Sequence, residues 1–289
     1  MQTAATSSIL ISGYRIAYEQ YGEGSPIWLL HGTPSYSYEW RKVIPSLVQK
    51  GYKVYVHDLL GYGASERPLE ADTSVAAQYR IFSQLLDELG MDRLHVAAHD
   101  LGGVVGLQLA QEQPERIQSL TLLNMPSYDS WPSPTWKKII EEQLEQFEQM
   151  PRADFDTMLK KQLPMAVYNK ELMTGDTLGA YLEPHAGSLG KASFFSHQVA
   201  HYNAKYTESY GTDLPKLKVP VQIIWGKKMN GSPSIMQRGL SRIFPMPAYM
   251  SFPKLVISLW KMNLGNVLII STVSAINIRE YVCILNRMS

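Results

Sequence analysis

Cysteine is almost absent from this 289-residue chain, in which Cys283 is the only one. A single cysteine excludes a disulfide within the chain, and it fits a reducing compartment. No excess of one charge is present either, because 27 basic and 26 acidic residues leave a net charge of +1. Met1–Ser12 has no basic stretch followed by an apolar run, so we expect no secretory signal. We therefore expect a cytoplasmic protein that does not bind nucleic acid.

Acidic residues and histidine are nearly absent from residues 229–289. This stretch holds one acidic residue, Glu280, and no histidine, whereas residues 1–228 hold the other acids and all seven histidines. A boundary between two folded domains does not explain so sharp a change in composition. Polar residues interrupt the apolar part of the stretch, Leu255–Ile278, so we expect no membrane span there.

Apolar runs that suit buried strands alternate along the chain with stretches of helical spacing. The pattern predicts helices at Tyr38–Lys50 and Ser74–Leu89 and, later in the chain, at Trp136–Met150, Asp154–Leu163, Lys170–Tyr181 and Lys191–Tyr206. Strands are predicted at Ser8–Ser12, Tyr14–Tyr21, Pro26–Leu30, Lys53–His57, Leu94–Ala98, Ile117–Leu123 and Val219–Gly226. Such alternation, with 45% apolar residues, predicts an α/β fold with a doubly wound, mostly parallel sheet. Functional sites of these sheets lie beyond the carboxyl ends of the strands.

The most informative stretch is Leu94–Gly103, where a strand stops at two polar residues and a helix follows. Asp100 stands at the apex of this turn, with small residues at Ala98 and Gly102. Small neighbours allow a strained turn that exposes one side chain, which is the layout of a nucleophile elbow. The alternative is a solvated aspartate that caps an ordinary helix.

Two other polar motifs follow predicted strands. His31-Gly32-Thr33-Pro34 comes after one strand, and the glycine-punctuated loop Asp58–Ser65 comes after another. With His99-Asp100-Leu101-Gly102-Gly103, and in this order, they resemble the α/β-hydrolase superfamily. The most similar branch is the Asp-nucleophile branch of epoxide hydrolases and haloalkane dehalogenases, and Tyr36–Pro45 resembles the dehalogenase side.

The resemblance covers Ile9 to about Lys228 and implies a domain organisation. Residues 1–124 would form the first part of the core, 125–213 a helical cap and 214–228 the seventh strand of the core. Residues 229–289 would be an aberrant tail in place of the remaining core.

The resemblance also implies a mechanism without metal or organic cofactor. Asp100 would attack an electrophilic carbon of a small-molecule substrate to form an ester, and a histidine-activated water would hydrolyse that ester. The backbone N–H groups of Leu101 and Thr33 would stabilise the oxyanion. We expect His31 and His99 to brace the loops, with a role as bases as the alternative. The oligomeric state is left open.

Aromatic residues are the candidates for substrate contact. Cap tyrosines of epoxide hydrolases donate protons to the epoxide oxygen, and the cap segment contains Tyr202 and Tyr210 besides the candidates below. We expect substrate contact from Trp40, Tyr168, Tyr181 and Tyr206, with simple packing as the alternative. A dehalogenase is less favoured, because Leu101 and Thr33 lack the side-chain N–H groups that help a halide to leave.

The family would supply an acid soon after the seventh strand and a histidine after the eighth, and neither is present. Loss of one nucleotide in the codons of Lys227-Lys228 explains this. The neighbouring frame permits an acid, a helix, a strand ending in Ala-Gly-His and an acidic run. Met229 then stands in the place of the acid, and roughly Ile257 in that of the histidine. We expect this copy to be crippled; a non-catalytic ligand-binding relative and an inactive gene product are the alternatives.

Overall fold

A computed structural model describes residues 6–126, 131–167, 169–208 and 216–226, together with two short strands at 260–261 and 267–272. Its centre is a nine-stranded sheet of order β1-β2-β4-β3-β5-β6-β7-β9-β8. The strands are β1 (Ser7–Ile11), β2 (Tyr14–Tyr21), β3 (Ser25–Leu30), β4 (Tyr52–His57), β5 (Leu94–His99), β6 (Ile117–Leu123), β7 (Val221–Gly226), β8 (Trp260–Lys261) and β9 (Val267–Thr272).

The sheet is mostly parallel, as the sequence predicts. β1 and β2 form an antiparallel hairpin, because Ser12 and Gly13 both adopt positive φ and reverse the chain. β2 then pairs antiparallel with β4, and the run β4-β3-β5-β6-β7-β9 is parallel throughout. The carboxyl ends of β3, β4 and β5 therefore lie at one edge, which brings the three polar motifs of the sequence together.

Three helices of the core are α1 (Ile44–Gln49), α2 (Val75–Glu88) and α3 (Leu101–Glu112). α2 begins where the Ser74 hydroxyl accepts a hydrogen bond from the Ala77 N–H, and α3 is buried along most of its length. The prediction of one helix over Tyr38–Lys50 is wrong. A 3₁₀ helix covers Ser37–Lys42 and α1 follows it, because Pro45 has no N–H and fits only the first turn of a new helix.

Residues between β6 and β7 form a separate helical layer. It contains α4 (Pro134–Lys138), a π-helical turn, α5 (Leu144–Glu148), α6 (Arg152–Gln162), α7 (Gly175–Leu182) and α8 (Gly187–Ser193). An apolar cluster that includes Phe155, Phe194 and Phe195 holds these helices together. The helix predicted over Lys170–Tyr181 is wrong in its first part, because the chain enters α7 at Gly175 with a positive φ. The helix predicted over Lys191–Tyr206 likewise breaks into short turns after α8.

Beyond β7 the structure describes only β8 and β9. β9 pairs parallel with β7, and β8 pairs antiparallel with β9. Val267–Thr272 therefore lies in the sheet beside the strand that the sequence places seventh. Met229 and Ile257 lie outside the described residues. Within the described ranges, no helix is both long and apolar enough to cross a membrane.

Candidate active site

Asp100 lies between β5 and α3 in a backbone conformation that few aspartates adopt, with φ 49° and ψ −121°. The turn is tight because its neighbours have no room for side chains. A Cβ on Gly102 would lie 2.5 Å from the His31 carbonyl oxygen, and one on Gly103 would lie 2.7 Å from the Met125 Cβ. Because α3 packs this closely against the end of β3, the chain turns sharply at Asp100, which takes a strained backbone conformation typical of a nucleophile elbow.

The Asp100 carboxylate lies beside backbone N–H groups of the loop after β3 and of the first residue of α3. Thr33 N–H donates to Oδ1 at 2.8 Å, and the nearby Leu101 N–H lowers the pKa of the carboxyl. The side chain makes no capping hydrogen bond to α3, and its positive φ differs from the extended backbone of a helix N-cap. The geometry therefore differs from that of an ordinary helix cap, and the Thr33 N–H is the donor that contacts the carboxylate.

Burial raises the pKa of Asp100 above its usual value. The positive charge of His99 and the two backbone N–H groups oppose this shift, whereas the charge of Glu39 adds to it. Burial therefore disfavours the charged form of the carboxyl group, while His99 and the backbone N–H groups stabilise it. Such an environment is typical of a functional group rather than of a surface aspartate.

His99 points at Glu39, which is carried by the 3₁₀ helix Ser37–Lys42. Nδ1 of His99 lies 3.2 and 3.3 Å from the two Glu39 carboxylate oxygens. Burial alone would lower the pKa of His99, but the Glu39 carboxylate raises it to about 9. In the same way, His99 holds the pKa of the partly buried Glu39 below its usual value. The Glu39 carboxylate therefore favours the protonated form of His99, and a protonated imidazole cannot serve as a base.

His31 connects the loops that follow β3 and β4. Its Nε2 accepts a hydrogen bond from Leu59 N–H at 2.9 Å, and its Nδ1 lies 2.9 Å from the Gly32 carbonyl oxygen. Asp58 orders the same region by accepting the Ser37 N–H at 2.8 Å and the Ala64 N–H at 2.7 Å. Both ring nitrogens of His31 are thus occupied by the backbone.

The aromatic candidates do not share one location. Trp40 is 4% exposed and packs in a core cluster, and its indole N–H has no partner among the described residues. Tyr181 packs edge-on against Tyr38, and its hydroxyl lies 3.4 Å from Arg41 Nη1. Tyr206 packs at the margin of the main core cluster. Tyr168 lies outside the described residues.

In the helical layer between β6 and β7, Tyr202 contacts Thr33, and the sequence analysis did not single it out from the other tyrosines of that segment. Its hydroxyl lies 2.8 Å from Thr33 Oγ1, and its ring packs against Trp131. Burial raises its pKa, and the charge of Asp100 acts in the same direction. Glu39 was also missed, because no local pattern in the sequence marks its contact with His99. Among the described residues, no group of three histidine, cysteine or acidic side chains could hold a metal ion.

Comparison with known proteins gives a consistent result. The model of the alpha/beta hydrolase fold family matches residues 25–254. A soluble epoxide hydrolase of a Corynebacterium species is 37% identical over 132 residues, which cover 43% of this chain and 45% of that enzyme. A haloalkane dehalogenase of Psychrobacter cryohalolentis is 35% identical over 109 residues, or 37% of this chain and 36% of the dehalogenase. The matched stretch thus spans less than half of either relative.

A solved structure extends the similarity to most of the fold. An alpha/beta hydrolase fold protein from Burkholderia ambifaria superposes with a TM-score of 0.77 at 26% identity, covering 94% of this chain and 93% of that one. The matched family model covers well over half of the sequence, and the sheet order and the strand–turn–helix around Asp100 agree with it. The chain therefore belongs to the α/β-hydrolase fold family.

Proposed function

We propose that this chain acts on small electrophilic substrates, epoxides first, by forming an ester on Asp100. One observation carries the proposal: a partly buried carboxylate stands at a strained strand–helix turn with Oδ1 2.8 Å from the Thr33 N–H. An aspartate in this position is an oriented nucleophile, because the hydrogen bond from Thr33 restricts its rotation and stabilises its charge.

The first step of the proposed reaction is ring opening. An Asp100 carboxylate oxygen bonds to an epoxide carbon, the C–O bond of the ring breaks, and its electron pair stays on the departing oxygen. That oxygen takes the phenolic proton of Tyr202. The products are an ester, a hydroxyl group on the former epoxide carbon and a Tyr202 phenolate, so charge and atoms balance. The Thr33 and Leu101 N–H groups would stabilise negative charge on the carboxyl oxygen when water later attacks the ester.

The proton donor is the reason for preferring an epoxide to a halide. A departing alkoxide needs a proton, and the Tyr202 hydroxyl lies one hydrogen bond from a residue that contacts Asp100. A departing halide instead needs N–H donors, which the side chains of Leu101 and Thr33 do not supply. Haloalkane dehalogenation remains the second candidate because a dehalogenase is among the relatives.

We further propose that the sequence as it stands forms the ester but does not hydrolyse it. All seven histidines lie among the described residues, and none is placed as a base for Asp100. His99 is bound to Glu39 and His31 to the backbone. Of the other five, His57 contacts Trp28, His95 contacts Ser119, His185 contacts the Pro34 carbonyl, and His197 contacts Ser193 and the Pro68 carbonyl. His201 faces Asp72 at 3.9 Å.

The composition of the tail supports a shifted reading frame as the origin of this deficit. Residues 229–289 hold no histidine and one acid. Sequencing the coding DNA around Lys227-Lys228 tests the proposal directly. A frame that restores the acid and the Ala-Gly-His segment supports it, whereas a confirmed reading as given refutes the frame error.

Intact-mass spectrometry tests the ester. The purified chain is incubated with a small terminal epoxide, and we expect one added epoxide mass per chain with no further turnover. Asp100→Asn should abolish the adduct, while Asp154→Asn, a substitution on α6, serves as the matched control and should retain it. An equal adduct on Asp100→Asn, or none on the unmodified chain, would overturn the proposal. Multiple equivalents of diol per chain would overturn only the claim that hydrolysis is lost.

A further inference from the structure

Thr33 makes two contacts at the site through different parts of the same residue. Its backbone N–H donates to Asp100 Oδ1 at 2.8 Å, and its side-chain Oγ1 lies 2.8 Å from the Tyr202 hydroxyl. The first contact joins the loop after β3 to the elbow. The second joins that loop to the helical layer between β6 and β7, 169 positions along the chain. Thr33 therefore links the candidate nucleophile to the candidate proton donor.

The Thr33 hydroxyl can act as donor or as acceptor in its contact with Tyr202. A threonine hydroxyl has one hydrogen and two lone pairs, so it can accept from the phenol or donate to it. Gln198 Oε1, at 3.4 Å, is a weak competitor for the hydrogen, and the Tyr62 side chain also hydrogen-bonds Thr33. Hydrogen bonding to Thr33 lowers the pKa of Tyr202, against the larger effect of burial, which raises it. Thr33 is thus suited to donate when the phenol loses its proton.

We propose that the Thr33 hydroxyl is a positioning residue that orients Tyr202 over the Asp100 site and donates to its oxygen as the phenolate forms. The inference rests on the proposed function. Through its contacts with both residues, Thr33 would link protonation of the leaving oxygen by Tyr202 to attack by Asp100.

Charge changes during ring opening favour this coupling. While Asp100 is ionised, its negative charge disfavours a phenolate at Tyr202. Ester formation removes that charge in the same step in which the departing oxygen takes the phenolic proton. The Tyr202 phenolate then accepts a hydrogen bond from the Thr33 hydroxyl, and it regains a proton from solvent while the new alcohol stays attached to Asp100 through the ester. A hydrogen bond to a charged oxygen is stronger than one to a neutral oxygen, so the Thr33 contact is strongest when the phenolate is present.

The first test compares leaving groups. The rate of adduct formation is measured by intact mass for the unmodified chain, Thr33→Val, Thr33→Ser and Tyr202→Phe, each with an epoxide and with a primary bromoalkane. Thr33→Val keeps the backbone N–H and removes only the hydroxyl. We expect it to slow the epoxide reaction by about 10- to 100-fold, as for loss of a hydrogen bond to a charged group. Thr33→Ser should recover most of this loss, and Thr33→Val should add little in the Tyr202→Phe background.

The bromoalkane separates this role from a structural one, because bromide leaves without a proton. Thr33→Val should slow the bromoalkane reaction much less than the epoxide reaction, since the Thr33 N–H still holds Asp100. Equal slowing with both substrates, or no slowing with the epoxide, would overturn the inference and leave the Asp100 ester intact. Absence of any adduct on the unmodified chain would instead mark failure of the proposed function.

A second measurement does not depend on activity. Tyrosine labelled with ¹³C at Cζ gives NMR resonances, and the one lost in Tyr202→Phe identifies Tyr202. We expect Thr33→Val to shift this resonance and Thr33→Ser to leave it near its original position. Tyr206→Phe is the matched control, which removes a different resonance without moving this one. An unshifted Tyr202 resonance in Thr33→Val would refute the hydrogen bond itself.

Discussion

Replacing Glu39 by Gln should weaken the fold in a way that depends on pH. The substitution keeps the size of the side chain and removes the carboxylate that faces His99 at 3.2 Å. The folded pKa of His99 is about 9, against an ordinary value of about 6.5 in an unfolded chain. A group with a raised folded pKa stabilises the fold fully below pH 6.5, and this contribution is lost as the pH rises through 9.

The size of the effect follows from the same two values. The difference in pKa corresponds to about 3 kcal/mol at 1.36 kcal/mol per unit, as an upper limit. The His99 side chain is 33% exposed and Glu39 is 11% exposed, so solvent screens part of the interaction. We therefore expect Glu39→Gln to lower the free energy of unfolding by about 2 kcal/mol at pH 6. Glu39 has a lowered folded pKa, so its own contribution is present above about pH 4.3 and is lost in more acidic solution.

Urea unfolding at pH 6, 7.5 and 9.5 measures this difference. The gap between the unmodified chain and Glu39→Gln should be largest at pH 6 and should have largely closed by pH 9.5. Glu141→Gln is the matched control: Glu141 pairs with Lys137 at 3.9 Å on the surface, so its effect should stay within about 0.5 kcal/mol. A gap of constant size across this range would refute the charge pairing of Glu39 with His99.

Three further predictions concern the elbow, a buried histidine and an aromatic candidate. Gly102→Ala should lower the free energy of unfolding by more than about 2 kcal/mol, because its Cβ would meet backbone atoms of His31 and Leu30. Gly179→Ala has open space around it and should be neutral or stabilising by up to about 1 kcal/mol. Equal urea midpoints for the two variants would be inconsistent with the close approach at Gly102. Burial lowers the pKa of His57 to about 3, so neutral His57 contributes to the stability of the fold above pH 6.5, and this contribution is lost as the pH falls. The free energy of unfolding should fall by about 2 kcal/mol between pH 6.5 and pH 5. His57→Gln should flatten this decline, and an unchanged decline would refute the prediction. Tyr181→Phe should change the rate of epoxide adduct formation less than Tyr202→Phe does, since the Tyr181 hydroxyl faces Arg41 rather than Thr33, and the reverse order in a rate assay would exchange their roles.

The sequence predicted those parts of the site that are encoded locally. The elbow was visible because a strand, one aspartate and small residues follow one another within Leu94–Gly103. The meeting of the His31, Asp58 and Asp100 motifs followed from parallel strands, whose carboxyl ends share one edge. Alternating apolar segments were enough to identify the sheet, and its mostly parallel order is confirmed.

Contacts between distant segments were beyond such patterns. Glu39 meets His99 from 60 positions away, and Tyr202 meets Thr33 from 169 positions away. Both contacts depend on where helices break, and the breaks at Pro45 and after α8 were not recognised. Any of several tyrosines between β6 and β7 was equally plausible from the sequence, because only the contact with Thr33 in the folded chain distinguishes Tyr202. Tertiary packing therefore decided which polar groups complete the site.

Mapping the adduct to a single residue tests the central claim most directly. After incubation with the epoxide at pH 7.5, trypsin releases the segment Leu94–Arg116, which contains Asp100 together with Glu112 and Glu115. Fragmentation mass spectrometry locates the added mass within this peptide, and hydroxylamine tests whether the bond is an ester. We predict one epoxide on Asp100, removed by hydroxylamine and persistent in buffer. Modification of Glu112, Glu115 or a histidine instead, with Asp100 unmodified, would contradict the assignment of Asp100 as the nucleophile.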